Sequence, residues 1–181
     1  VENNAVWIAK FPAIDDETLV SIPRLEHATM RLGRLCGIST AETLIREVEG
    51  RDVCLIRRFD REVTNNQTYR RCFLSARSVF YADPAYAAVS TPSYARLSRW
   101  MPRYGCTAAQ RKALFRRMVF NCVVKNVDDH ELNHGLVHVH GDTFELAPAY
   151  DMLPSLKRHA VHHHAMLVGD SGAGTIAKLV S

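Results

Sequence analysis

The feature that most constrains this chain is the polar stretch Asn126-Val127-Asp128-Asp129-His130-Glu131-Leu132-Asn133, followed by Asp151 in Ala147-Pro148-Ala149-Tyr150-Asp151. It holds a carboxylate, an amide five positions on, and a second carboxylate farther along. A patterned helix runs directly into it. Thr107 reads as the N-cap of a helix from about Ala108 to Lys125, in which Leu114, Phe115, Met118, Val119, Cys122 and Val123 recur at helical spacing. Arg111, Lys112, Arg116 and Arg117 take the other side, which reads as a solvated face, although a basic face can also meet nucleic acid. Beyond the stretch, Leu136 to Val139 and Thr143 to Leu146 alternate apolar and polar residues about His140-Gly141-Asp142, a β-hairpin.

Upstream, Ala5 to Phe11 is β-branched and aromatic and Pro12 ends it, so it reads as a strand. Val6, Ile8 and Lys10 share one of its faces. Lys10 either snorkels to water from the strand end or aims its ammonium at phosphates. A helix is expected from about Pro23 to Cys36, with Pro23 in its first turn, Gly37 past its end, and Leu25, Ala28, Leu32, Leu35 and Cys36 as its apolar stripe. Glu26 falls in its first turn, where the helix dipole favours a carboxylate and from where it could also hold Lys10. Thr43 to Val48 and Arg51 to Phe59 read as strands joined by Glu49-Gly50, leading into the charged segment Arg57-Arg58-Phe59-Asp60-Arg61. Glu62 to Thr68 reads as an exposed polar excursion. Phe73 to Phe80 is ambiguous between strand and helix, with helix preferred, and Ser93 caps a helix reaching Met101.

The five cysteines are far apart with no C-x-x-C pair, which excludes zinc ribbons and redox motifs and suits reduced thiols in a cytoplasmic protein. No apolar run approaches the roughly 18 residues of a membrane span. At 181 residues and 47% hydrophobic content a proper core is available, and the net charge of +4 is too modest to demand a nucleic-acid or membrane partner. His159, His162, His163 and His164 fit no standard ligand spacing and read as an incidental loop, with a helix starting near Thr175.

Phosphoryl transfer asks a protein for metal ligands, a cation on the phosphates, and a group that orients the attacking hydroxyl. Mg²⁺ takes hard oxygen ligands, for which Asn and Asp are suitable. Asp128, Asn133 and Asp151 offer a base and two ligands in the order a kinase uses, with Lys10 as the cation and Glu26 as its holder. Each piece is weak alone, since D-x-x-x-x-N is common and an Asx-rich turn can simply cap the preceding helix.

Asn126 to Leu136 followed by Leu146 to Met152 resembles the signature of the HipA-type toxin serine/threonine kinases. Ala9-Lys10-Phe11 is similar to that family's ATP-lysine strand, Leu25-Glu26-His27 to the helix after it, and Ile56 to Arg61 to its hinge. Phe73 to Ala76 and Phe115 to Asn121 are similar as well, so the resemblance spans nearly the whole chain. It implies an α+β, two-lobed kinase-like fold, with a partial β-rich N-lobe at 1–60 and a mainly helical C-lobe at 61–181. It also implies transfer of the γ-phosphate of Mg-ATP to a protein hydroxyl. Asp128 would then be the base, His130 would orient the catalytic loop, and Asn133 and Asp151 would hold Mg²⁺. Lys10 would contact the phosphates, Glu26 would hold Lys10, and the hinge from Arg57 to Phe59 would meet the adenine through backbone groups. The implied partners are a DNA-binding antitoxin, with DNA reached only indirectly, and targets such as aminoacyl-tRNA synthetases.

The sequence departs from that pattern in one respect. No glycine precedes Lys10, where a kinase carries its glycine-rich phosphate loop, so the chain is expected to be a fragment. Three other readings stand beside the kinase: an idle scaffold that holds an antitoxin, a small-molecule kinase with the same site, and a zinc hydrolase built on His130 and His134.

Overall fold

In the computed structural model, which describes residues 5–12, 20–65, 67–82, 91–156, 163–168 and 171–173, a three-stranded sheet carries the lysine. Trp7–Lys10 forms β1, Ile22–Leu35 α1, Thr43–Val48 β2 and Arg51–Arg57 β3. Both β1 and β2 pair antiparallel with β3, which sets Lys10 opposite Cys54. β3 takes the centre because Val53, Cys54 and Ile56 can all be buried there. The β2–β3 turn is Glu49-Gly50, with φ of 49° and 74°, the two left-handed positions of a tight hairpin.

Ser21 caps α1, its hydroxyl accepting from the Arg24 N–H at 3.4 Å, and Gly37 follows the helix at φ 75°. The inner face is not the expected one. Ala28, Leu32, Leu35 and Cys36 are exposed, Leu35 to 85%, whereas Pro23, Glu26, Thr29, Met30 and Gly33 are buried. Glu26 turns inward to meet Lys10, and Thr29 donates its hydroxyl to the Leu25 carbonyl at 2.8 Å. Gly33 admits Met152, whose Cε would stand 2.9 Å from an added Cβ. Hydrophobic periodicity cannot register a face packed by a carboxylate and small residues. Glu26 is also the fifth helical residue, past the turn where the dipole acts, so its place is explained by Lys10.

After residue 60, Arg61–Thr64 (β4) and Gln67–Arg70 (β5) pair as a hairpin, and the expected polar excursion is largely exposed. The ambiguous stretch is both strand and helix: Phe73–Ser75 is β6, Ala76–Tyr81 is α2, and Ser75 caps α2 by accepting from Ser78 N–H at 3.1 Å. Ser93 caps α3 (Tyr94–Trp100) as expected, and a 3-10 turn at Met101–Tyr104 follows. Thr107 and Gln110 form a capping box at the start of α4 (Ala108–Val124). β7 (Gly135–His140) lies between β6 and β8 (Thr143–Leu146). His163–Val168 (β9) pairs with Ser171–Ala173 (β10), so His163 and His164 belong to a strand and not to a loop. His159, His162 and the helix expected near Thr175 lie outside the described residues.

α4 stands between two cores. Leu114, Met118 and Cys122 join Phe80, Tyr94, Leu97, Leu136 and Met166, whereas Phe120 packs with Met30, Ile56, Ala149 and Met152. A helix buried on two sides has no single stripe. Phe115 and Val123 are therefore exposed, at 54% and 58%, and Arg117 is buried instead of solvated, donating from Nη2 to the Ala147 carbonyl at 2.6 Å. Burial pulls the Arg117 guanidinium down to about 10. A short parallel bridge ties the two halves together: Ala149 N–H donates to the Ser39 carbonyl at 2.7 Å and Ala41 N–H to the Ala149 carbonyl at 2.8 Å.

All five cysteines are free, and burial pushes the thiols of Cys54, Cys106 and Cys122 up to about 11, which keeps them inert. Among the described residues no helix is long and apolar enough to cross a membrane.

Candidate active site

Ile8 and Lys10 share a face as their spacing requires, and that face is the wall of a cleft of about 230 Å³. An aliphatic and a lysine side by side pose no conflict there, because the wall is not core. Lys10 Nζ donates to Glu26 Oε1 at 2.7 Å and also to the Asp151 carboxylate. Burial pulls the ammonium pKa down, but its bonds to Asp151 and Glu26 outweigh burial and leave it raised. Burial pushes the Glu26 carboxyl up, and Lys10 only partly opposes it. The asymmetry is physical: the lysine faces two carboxylates, whereas Glu26 faces one ammonium and the like charge of Asp151.

Ile56, Phe59, Phe73 and Tyr150 complete the cleft. The three rings pack on one another, with Phe59 and Tyr150 centroids 5.6 Å apart and Phe59 and Phe73 5.7 Å apart. They suit the flat apolar face of a nucleobase. The hinge is stiffened by Asp60, which accepts from Arg58 Nε at 2.8 Å and Nη2 at 2.6 Å; these bonds hold its carboxyl below the usual range. The N–H groups of Arg57 and Arg58 donate to the carbonyls of Glu42 and Val6, both at 2.8 Å. Those two N–H groups are therefore engaged within the fold.

Asp151 lies at the boundary with a second cavity of about 360 Å³, lined also by Asp128, Asn133, Val127 and Leu153. Its φ of 57° is left-handed, a conformation that Asp tolerates better than most residues but that still costs about 1 kcal/mol. Asp128 is exposed on the loop between α4 and β7. Asn133 Nδ2 donates to the Asp128 carbonyl at 3.1 Å, which leaves its Oδ1 to serve as a ligand. The oxygens of Asn133 and Asp151 are the hard donors Mg²⁺ prefers, so the residues fit that ion. The structure thus brings Lys10, Asp128, Asn133 and Asp151 to the walls of two adjoining cavities, with Arg57 and Phe59 lining the first; Glu26 lines neither and reaches the site only through Lys10.

His130 takes part in the loop through its backbone, its carbonyl accepting from Asn133 N–H at 2.9 Å; its side-chain Nδ1 is buried with no protein partner. The side chain that grips the loop is its neighbour Asp129. This buried carboxylate accepts from His134 Nε2 at 2.8 Å and from the Tyr94 hydroxyl, and Asn121 Nδ2 donates to that hydroxyl at 3.1 Å. His134 Nε2 is therefore engaged, and among the described residues no group of three or more His, Cys, Asp or Glu is placed to hold a metal. The run Asp128-Asp129 contained the signal for this network, but Tyr94 and Asn121 lie too far off in sequence to be associated with it.

A strand lysine paired with a helix glutamate, then a hinge, an Asp–Asn loop and a final Asp past a hairpin is the chain order of a protein kinase, and the fold is kinase-like. The chain belongs to the HipA-like C-terminal domain family, which matches residues 2–178. Among solved structures, HipA of Shewanella oneidensis MR-1, determined with HipB and its operator DNA, matches 93% of this chain and 42% of its own, with a TM-score of 0.73 at 19% identity. The proinflammatory kinase CtkA of Helicobacter pylori matches over 83% of this chain and 51% of its own, with a TM-score of 0.61 at 16% identity. The chain spans about half the length of these proteins or less. No curated relative matches it by sequence.

Proposed function

We propose that this chain forms the nucleotide and metal site of a HipA-like kinase that transfers the γ-phosphate of Mg-ATP to a serine or threonine hydroxyl of a protein. The observation that carries the reading is the convergence at Asp151: one carboxylate touches Lys10 and borders both the ring-lined cleft and the cavity of Asp128 and Asn133. Lys10, held by Glu26, binds the phosphates, and the ring-lined cleft receives the base. Asn133 and Asp151 hold Mg²⁺, which neutralises charge on the phosphates when bound. Asp128 takes the proton of the attacking hydroxyl while the bond from phosphorus to the leaving oxygen breaks. On this reading residues 1–60 belong to the N-lobe and 61–181 to the C-lobe. The protein acts in the cytoplasm as the toxin of a pair, with a DNA-binding antitoxin as partner, as the HipA–HipB–operator complex suggests by analogy.

The test is transfer of labelled γ-phosphate from Mg-ATP beside the Asp128→Ala variant. Asp128 is exposed, so the variant is expected to fold normally and to transfer nothing. Full transfer by the variant removes Asp128 as the base. ATP binding without transfer by either protein favours the idle scaffold, and label on a metabolite instead of protein favours a small-molecule kinase.

A further inference from the structure

The loop that carries Asp128 and Asn133 rests on a buried polar cluster that phosphate transfer does not itself require. Asp129 is 1% exposed and reaches three elements: its own loop, His134 at the head of β7, and Tyr94 on α3. The Tyr94 and His134 rings pack edge to face with centroids 5.0 Å apart, and Asn121 of α4 fixes the Tyr94 hydroxyl. From the other side β9 pins the same loop, with Ala165 N–H on the Val127 carbonyl at 3.1 Å and Met166 N–H on the Asp129 carbonyl at 3.0 Å. A buried carboxylate is costly to desolvate, and a whole buried polar set such as Asp129, His134 and Tyr94 can be replaced by packed apolar side chains at little or no cost in stability, although removing one member alone is destabilising. Stability alone therefore does not call for a carboxylate at this place.

The placement of Asp129 accounts for it. Residues 129 and 134 bracket the turn in which Asn133 N–H bonds the His130 carbonyl, and they adjoin Asp128 and Asn133, whose Nδ2 bonds the Asp128 carbonyl. Drawing 129 and 134 together closes that turn and sets the distance between the base and the amide ligand. Resting on the kinase reading, we propose that Asp129, held by Tyr94 and His134, is a positioning residue that fixes the separation of Asp128 and Asn133. Asn126 extends the same frame to the second ligand, its Nδ2 lying 3.4 Å from Asn121 Oδ1 and 3.5 Å from the Asp151 carbonyl.

The experiment compares the parent with Tyr94→Phe, which keeps the ring and removes only the hydroxyl, and with Asp129→Asn. Mn²⁺ standing in for Mg²⁺ is titrated by electron paramagnetic resonance against each protein holding a non-hydrolysable ATP analogue. Both variants are expected to bind Mn²⁺ about tenfold or more weakly and to lose kcat by a similar factor, because outer groups that orient metal ligands typically carry about 10–100-fold. Affinity for the analogue without metal stays within about twofold, since the cleft and Lys10 are untouched. Loss of fold stability alone moves neither the metal titration nor this split. Parental Mn²⁺ affinity and kcat in Tyr94→Phe overturn the proposal, and that variant decides the matter should Asp129→Asn fail to fold. A parent that binds no Mn²⁺ with the analogue overturns the kinase reading and the clamp together, whereas a binding parent with unaffected variants overturns the clamp alone.

Discussion

Removing Lys10 tests whether one ammonium is what allows a carboxylate on the inner face of α1. Glu26 is 3% exposed and accepts from Lys10 at 2.7 Å. In Lys10→Met that carboxylate remains buried without its cation. Breaking a buried pair in this way costs about 3–5 kcal/mol. The Lys10 side chain is 36% exposed, so solvent screens part of the interaction and about 2–3 kcal/mol is expected. A second substitution, Glu26→Gln, should restore most of that loss, because a neutral amide needs no counter-ion.

The pH dependence follows from the direction of the Glu26 shift. A carboxyl whose folded pKa lies above its unfolded value of 4.5 binds its proton more tightly in the folded state. Its support is complete below that unfolded value and is lost as pH rises through the folded one. In Lys10→Met the upward shift is larger, because the opposing ammonium is gone. The deficit relative to the parent should therefore narrow as pH falls from neutrality toward the unfolded value, by no more than about 1.4 kcal/mol per pH unit. Urea unfolding followed by the fluorescence of Trp7 and Trp100 reads the difference directly. Equal stability of Lys10→Met and parent near neutral pH, or no recovery in the double variant, would refute the claim that Lys10 is what keeps Glu26 inside.

Gly135→Ala should lower stability by about 1–3 kcal/mol, because the added Cβ would stand 2.4 Å from the Phe73 ring and 2.7 Å from the Leu74 carbonyl. Since Phe73 lines the cleft, titration with a fluorescent ATP analogue should show weaker binding; thermal unfolding checks the first effect. Asp151→Ala and Asp151→Asn should both weaken Mg²⁺-dependent nucleotide binding, and unchanged Mg²⁺ dependence would remove Asp151 from the metal site. Asp151→Ala should also lose about 1 kcal/mol of stability that Asp151→Asn keeps, because Asn tolerates the left-handed backbone there.

What could be read from the sequence was local. Ser93 and Thr107 cap their helices through contacts within a few residues, Glu49-Gly50 makes its own turn, and Lys10, Asp128, Asn133 and Asp151, far apart in the chain, lie on adjoining cavities with Glu26 bonded to Lys10. Faces were harder, because a face is defined by what packs against it. α1 buries Glu26, Thr29 and Gly33 and exposes Leu32 and Leu35, since Lys10 and Met152 lie on the side that hydrophobicity disfavours. α4 defeats a single-stripe reading because it serves two cores, which is also why Arg117 is inside. The grip on the loop of Asp128 and Asn133 joins Tyr94, Asn121, Asp129 and His134, and no periodicity connects positions so far apart.

The parallel bridge at Ala149 has a mechanical consequence. Its two backbone hydrogen bonds fasten the segment following α1 to the segment two residues ahead of Asp151, and Met152 lies against Gly33 of the same helix. Tilting α1 away would break both bonds, at about 1 kcal/mol each, and would also unseat Met152 and part Lys10 from Glu26. Helix α1 and the Asp151 segment are therefore expected to move together, so that displacing the exposed leucines at the end of α1 should shift Asp151 without any group entering the cleft.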